Sequence, residues 1–371
     1  MSSSIELSQA GPVAGASGFL PDRIIHLHPT RLCNLACLHC YSESDPQHKA
    51  ALDPVVLCDA LGVLRAEGYA LVSVSGGEPL VYPPLRAVVE HAHSLGFRVT
   101  MISNGLLVTE RTDTLLSLLD GVAISFDGLA DTHDAMRGRP GAFERACQGL
   151  KHLADMGRPV AAAISLSRDA IPELPDLADH LVALGARALQ VRPVARAGRA
   201  RGLTDDVFFS AADQARLYLV VLALQQEMPE GVRVHCDLAP ARGLWQQRNA
   251  YAGLLADCAG APPGERPLAD LVNPLVITDD GVLKPIAYDF DQRFDIAPLQ
   301  ALTADSLRRY KEQGLADLRA LVGGVLAGLQ EQQGLVDWFD DCARSSEARA
   351  NAAGHRVEFM PRTAGLVRSG I

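Results

Sequence analysis

The chain has 371 residues, 48% of them hydrophobic and 21% charged, so it can bury a sizeable core and is not an intrinsically disordered polypeptide. Its 34 Lys and Arg against 44 Asp and Glu leave a formal net charge of −10, which works against steering toward nucleic acid or an anionic membrane surface. The apolar runs at 217–224 and 320–329 fall short of the roughly 18 residues of a membrane-spanning helix, and the first 17 residues have neither a basic n-region nor a long apolar h-region; no membrane span, no secretory signal and a cytoplasmic location are expected.

Residues 1–20 are rich in Ser, Ala and Gly and read as a mobile N-terminal segment. From 21 to 202, short β-branched or apolar runs predict strands at 23–28, 71–75, 98–103, 121–126, 160–166 and 188–194. Helices are predicted between them from apolar residues at helical spacing, as in Leu57, Leu61 and Leu64, in Phe143, Cys147 and Leu150, and in Leu177, Leu181 and Leu184. Consecutive βα units require a parallel sheet with right-handed crossovers, so the fold class is α/β, a partial (β/α)6 TIM-like barrel. A connecting helical segment follows at 203–257, with its main helix at 211–226. An Asp-Gly hairpin around Asp279, Asp280 and Gly281 marks 258–300, and helices and a tail fill 301–371 with Leu307, Tyr310, Leu315, Leu318 and Leu321 as the buried set. These last segments form a small C-terminal hairpin-plus-helix appendage. Arg187, Arg192, Arg196, Arg199 and Arg201 crowd the end of the sixth unit, and a solvated loop is favoured there over an anion site.

Of eight cysteines, Cys33, Cys37 and Cys40 lie within eight positions, too clustered for a disulfide framework in a chain this long. Three thiolates on one loop can hold three irons of a [4Fe–4S] cluster and leave the fourth iron open. The competing reading is a zinc site completed by His39 or His28, but the second, distant pair of ligands usual in zinc loops is missing. Position favours the cluster. The cysteine loop follows the first strand, Ser75-Gly76-Gly77-Glu78-Pro79 the second and Ser103-Asn104-Gly105 the third, while Ser125-Phe126-Asp127-Gly128 ends the fourth. Singly these are turns and helix caps; together they occupy the carboxyl-end rim, where parallel α/β barrels assemble chemistry.

With these motifs the sequence resembles the radical S-adenosylmethionine enzymes, whose mark is the Cys-x3-Cys-x2-Cys loop matched by Cys33, Cys37 and Cys40. Ser125 to Gly128, His133-Asp134, Arg137-Gly138, Gly141 and Phe143 resemble the branch of anaerobic sulfatase maturases and of peptide and haem maturases. The resemblance implies a [4Fe–4S] cluster and S-adenosyl-L-methionine as cofactors, with Gly76, Gly77, Glu78 and Pro79 at the methionine amino group and Ser125 and Arg137 at the carboxylate. His39 and Tyr41, which flank Cys40, and Asn104 complete the implied cofactor-binding set. The implied activity is reductive cleavage of S-adenosylmethionine to a 5′-deoxyadenosyl radical that abstracts hydrogen from a substrate.

Members of that branch often end in a cysteine-rich module with auxiliary clusters, whose hairpin has the form Asp-Gly-x-x-x-Pro-Cys. Here Asp280-Gly281 and Pro285 match, but Ile286 stands in the cysteine's place, and the 258–300 region reads as a degenerate remnant. Cys58 and Cys147 fall on apolar helix faces as core residues, and Cys236, Cys258 and Cys342 are too scattered to favour a second cluster. A ribosomally made peptide is the substrate the resemblance implies, with a flavodoxin or ferredoxin as reductant. The residues ahead of the first strand leave no room for a leader-binding domain, so a separate leader-binding protein is an expected partner. A small-molecule or tetrapyrrole-like substrate, and a non-enzymatic iron–sulfur scaffold, are the alternatives; a hydride-cofactor enzyme would need a Gly-x-Gly-x-x-Gly turn, which is missing.

Overall fold

The computed structural model describes residues 23–110, 113–248, 252–255 and 262–352. The N-terminal segment, Cys258 and the residues after 352 therefore lie outside the described residues. In chain order the first half runs β1 (Ile24–Leu27), α1 (Pro54–Ala66), β2 (Leu71–Val74), α2 (Leu85–Ser94), β3 (Arg98–Ser103), α3 (Asp113–Leu116), β4 (Gly121–Phe126), α4 (Ala130–Arg137), α5 (Ala142–Asp155), β5 (Val160–Leu166), α6 (Leu174–Ala183) and β6 (Ala188–Pro193). All six expected strands are present, three with the bounds read from sequence. They run parallel in the order β1 to β6.

The sheet continues past both expected edges. After α7 (Ala211–Glu227), β7 (Arg233–Cys236) adds in parallel to β6, and β8 (Leu238–Pro240), α8 (Ala241–Gln246) and α9 (Ala252–Leu255) follow. On the other edge β9 (Leu275–Ile277) pairs in parallel with β1, and β10 (Val282–Pro285) and β11 (Ala297–Pro298) complete the sheet in antiparallel fashion. The order is β11-β10-β9-β1-β2-β3-β4-β5-β6-β7, with no pairing between its ends among the described residues. Two expectations are corrected: the connecting segment holds a seventh strand, and the hairpin is the flank of the barrel sheet itself. Gly281, at φ +77, makes the tight turn that an Asp-Gly hairpin demands. Last come α10 (Ala304–Arg309), a single π-helical turn, α11 (Leu315–Leu329), β12 (Leu335–Asp337), which pairs with β8, and α12 (Trp338–Ala352). Of the five residues expected to be buried in this part, Leu307, Leu315, Leu318 and Leu321 are buried and Tyr310 is half-buried.

Strand alternation shapes the interior. Residues facing the helices are large and apolar: Ile25 and Leu27 on β1, Val72 and Val74 on β2, Ile124 and Phe126 on β4. Many residues facing inward are small or polar, and Ser73, Ala123, Ala161 and Ala188 leave the middle of the barrel hollow where filled TIM barrels carry bulky aliphatics. By length and composition Asp205–Glu227, which includes α7, could cross a membrane, a correction to the count of apolar runs, which Asp213 and Arg216 interrupt. In the fold α7 is an outer helix of the barrel, burying Leu217, Val221 and Leu224 against its neighbours while Leu219 stays 65% exposed.

Candidate active site

The carboxyl ends of the strands open on a cavity of about 520 Å³, within the range of pockets that enclose a cofactor-sized ligand. Cys33, Cys37 and Cys40 line it, on the loop after β1. Their thiols sit in a small apolar cluster of their own with Leu35, Leu106 and Ala142, apart from the main core. Burial pushes the Cys33 thiol up to about 12 and raises Cys37 as well in spite of Arg137 beside it, so these sulfurs become thiolates only with a metal to bind them. Among the described residues no three His, Cys, Asp or Glu converge on one ion. A cluster's irons are separate atoms, each needing its own thiolate, so three thiols on one loop can hold three of them. Cys40 Sγ accepts from the Ser44 amide at 3.3 Å, with Ser42 Oγ at 3.5 Å.

The turn after β2 lies against this loop. Gly77 donates its amide to Thr30 O at 2.9 Å, and a Cβ on it would stand 2.1 Å from Leu32 O, so only glycine permits the approach. Gly76 and Gly77 line the cavity, whereas the Glu78 and Pro79 side chains are buried beneath the turn. The Glu78 carboxylate accepts from Leu80 N at 3.1 Å, Ser103 Oγ at 2.9 Å and Asn104 N at 2.9 Å, tying the end of β2 to the end of β3. Burial raises its carboxyl despite these donors. Asn104 does reach the cavity; its Nδ2 donates to Asn34 Oδ1 at 2.6 Å and lies 3.8 Å from Cys33 Sγ.

Ser125 and Arg137 also line the cavity. The guanidinium fork expected to meet a cofactor carboxylate is, however, engaged by Asp127: Nε to Oδ2 at 2.5 Å and Nη2 to Oδ1 at 3.1 Å. Only Nη1 is turned elsewhere, 3.9 Å from Cys37 Sγ. Burial alone would raise the Asp127 carboxyl, but Arg137 and His39 hold it well below the usual carboxylate range. His39 Nε2 lies 3.1 Å from Asp127 Oδ1, which places its proton there; Nδ1 is buried without a partner among the described residues, at the cavity wall. His133 Nδ1 accepts from the Asp127 amide at 3.3 Å, and burial lowers that ring to about 4, so it is neutral at pH 7.

Tyr41 lines the cavity beside Cys40, its hydroxyl 3.4 Å from His28 Nε2. His28 stacks on Tyr288 at 4.8 Å between centroids, and burial pushes His28 down to about 3. Ile286, in the position of the missing cysteine, lines the cavity as well. Cys236 and Cys342 are buried in the core, Cys147 is buried with its Sγ 3.6 Å from His180 Nε2, and Cys58 is half-buried on α1.

Two participants were not foreseen from sequence. Asp127 was noted only within its motif, and Arg199 only within the arginine run. In the structure Arg192 lies 3.4 Å from Asp237, and Arg196 pairs with Asp205 at 2.7 Å and caps the Phe208 ring. Arg199 instead turns inward onto the cysteine loop. Its place just beyond the sixth strand, on the same rim as the other motifs, was the available signal.

Comparison with known proteins follows the same lines. Residues 27–181 match the radical SAM superfamily. The chain is 31% identical over 176 residues to the sporulation killing factor maturation protein SkfB of Bacillus subtilis, covering 47% of this chain and 43% of that protein. It is 30% identical over 208 residues to the AdoMet-dependent heme synthase of Nitratidesulfovibrio vulgaris, covering 54% and 56%. The chain thus spans about half the length of the curated relatives it matches. Among solved structures, Streptococcus suis SuiB bound to S-adenosylmethionine superposes with a TM-score of 0.61 at 13% identity, over 81% of this chain and 68% of SuiB, a likeness of fold. SuiB has also been seen bound to its precursor peptide SuiA, in a structure that superposes with a TM-score of 0.60 at 14% identity over 80% of this chain and 66% of that one.

Proposed function

Because residues 27–181 of this chain belong to the radical SAM superfamily, we propose that the protein is an enzyme that holds a [4Fe–4S] cluster on Cys33, Cys37 and Cys40 and binds S-adenosyl-L-methionine in the adjoining cavity to modify a ribosomally made peptide. The observation that carries this reading is the meeting of three clustered thiols and the Gly76-Gly77 turn at the mouth of one hollow barrel. When bound, cluster and cofactor together supply a reductively generated carbon radical able to remove a substrate hydrogen atom.

The chain's own residues do the rest. The backbone of Gly76 and Gly77, pinned by Glu78, presents polar groups to the cofactor's amino group. Ser125 and the Nη1 edge of Arg137 are the groups for its carboxylate, and Asp127 fixes that edge in place. His39, with Nε2–H committed to Asp127, offers an acceptor at Nδ1 to the adenine side, beside Tyr41 and Asn104. The small inward residues of the strands leave room for the reacting part of the substrate, and the apolar shell around the thiols excludes water.

A peptide is favoured by a second hollow of about 250 Å³ beside the main cavity, the two sharing Pro193, Val194, Ala195, Asp337 and Asp340 as lining residues, which suits an extended chain laid over both. The similarity to a killing-factor maturation protein points the same way. The match to a heme synthase makes a tetrapyrrole-like substrate the second reading. A flavodoxin or ferredoxin as reductant, a separate leader-binding protein and a cytoplasmic location complete the proposal.

Anaerobic reconstitution tests it: the wild-type chain takes up about four irons and, with dithionite, converts S-adenosylmethionine to 5′-deoxyadenosine and methionine. Cys33→Ala, Cys37→Ala and Cys40→Ala together abolish both. About eight irons per chain would overturn the single cluster, and cofactor binding without any cleavage would favour a scaffold.

A further inference from the structure

The loop that carries the three cysteines is gripped from the far side of the barrel. Arg199 lies in the 3-10 turn Gly198–Gly202 that follows β6, five strands away from β1. Its amide donates to Cys40 O at 3.0 Å, its Nε to Cys37 O at 2.8 Å and its Nη2 to Ser44 O at 2.7 Å. Gly198, at φ +51, lets the turn come this close: a Cβ there would stand 2.3 Å from Tyr41 O and 2.4 Å from Cys40 O. Ser44 in turn donates its amide to Cys40 Sγ at 3.3 Å, so the residue whose carbonyl Arg199 holds also supplies a hydrogen bond to a ligand sulfur. Among the described residues the guanidinium has carbonyls, not carboxylates, as partners.

We propose that Arg199 is a positioning residue that clamps the cysteine loop and sets the reduction potential of the cluster held there, an inference that rests on the cluster assignment above. Two effects combine. The three hydrogen bonds fix the carbonyls of Cys37, Cys40 and Ser44, and so the directions from which the thiolates approach iron. A permanent positive charge, with no carboxylate among its described partners, and an N–H donor on Cys40 Sγ both stabilise the extra negative charge of a reduced cluster and raise its potential. Arg137, with Nη1 3.9 Å from Cys37 Sγ, has less of this effect because Asp127 cancels its charge.

The test compares reconstituted wild type with Arg199→Gln, Arg199→Lys and, as a control from the same turn, Arg201→Gln, whose arginine pairs with Glu347. Uptake of about four irons by the wild type checks the underlying assignment separately, and its failure would strike that assignment alone. R199Q is expected to lose iron to a chelator at least about tenfold faster than wild type, the consequence of losing charge-assisted hydrogen bonds, and to show a more negative midpoint potential with an altered spectrum of the reduced cluster. R199K keeps the charge but cannot span two carbonyls: its potential stays near that of wild type while its iron loss is fast. R201Q matches wild type in both. If R199Q matches R201Q in potential and iron release, the proposal is wrong. If R199Q takes up no iron, the melting temperature of the metal-free chain decides: an unchanged value supports the clamp, and a fall shared with the whole fold overturns it in favour of a general structural role.

Discussion

Asp127 at the end of β4 holds Arg137 at the end of α4 by two contacts, Nε to Oδ2 at 2.5 Å and Nη2 to Oδ1 at 3.1 Å, in a site where the carboxylate is fully buried. Breaking one side of such a pair strands the other charge without water, at a cost of about 3–5 kcal/mol. Asp127→Asn is therefore expected to lower the unfolding free energy of the metal-free chain by about that amount, with an unchanged denaturant slope. Because the freed guanidinium also loses its orientation, S-adenosylmethionine binding to the reconstituted variant weakens. A loss below about 1 kcal/mol would mean that the pair is solvated and does not fix Arg137.

Two glycines should respond in opposite directions to the same methyl group. Gly77→Ala drives a Cβ to 2.1 Å from Leu32 O, so the backbone of the cysteine loop must move, and iron uptake on reconstitution is expected to fall sharply while the barrel stays folded. Gly62 sits inside α1 with nothing within 4 Å of the added carbon. Gly62→Ala is expected to gain about 0.5–1 kcal/mol from reduced backbone entropy in the unfolded chain. Iron titration and thermal melting of the two variants side by side check both, and wild-type iron content in G77A would refute the close approach.

What could be read from sequence followed how local the signal was. β3, β4 and β5 matched their expected bounds because strands flanked by helices appear as apolar runs that stop at polar or Gly-containing turns. β7 was missed because its inward residues, Arg233 and His235, line a hollow barrel instead of filling it, which broke the apolar pattern. β9 was seen as a strand, but its parallel pairing with β1, some 250 residues away in sequence, left no local trace. In the site, spacing pointed to Cys33, Cys37 and Cys40, and Gly76-Gly77 was read from its place after the second strand together with the resemblance. The pairing of Arg137 with Asp127 had no signal in sequence, because a guanidinium fork looks the same there whether it meets a ligand or a carboxylate of the chain. Arg199 was hidden for a related reason: its partners are backbone carbonyls, which every residue has.

An acidic part of the cavity wall carries a pH response. Asp337, at the end of β12, accepts from the amides of Phe339 at 3.1 Å and Asp340 at 3.2 Å through Oδ1. Burial, and then the charge of Asp237 nearby, push its carboxyl up to about 7. A folded-state value above the unfolded one of about 3.9 means that the folded chain keeps a proton that the unfolded chain has already released. The stabilisation is therefore complete below about pH 4 and is lost as the pH rises toward 7, with little further change above it. Burial raises Asp289 and Asp340 in the same direction, so the whole wall weakens together. Denaturant midpoints of the metal-free chain should thus fall between about pH 4 and 7. Asp337→Asn keeps an oxygen to accept from the two amides but cannot ionise; it should reduce that fall and be more stable than wild type at pH 8. Parallel pH profiles for the two proteins would show that Asp337 ionises normally and that the wall is open to solvent.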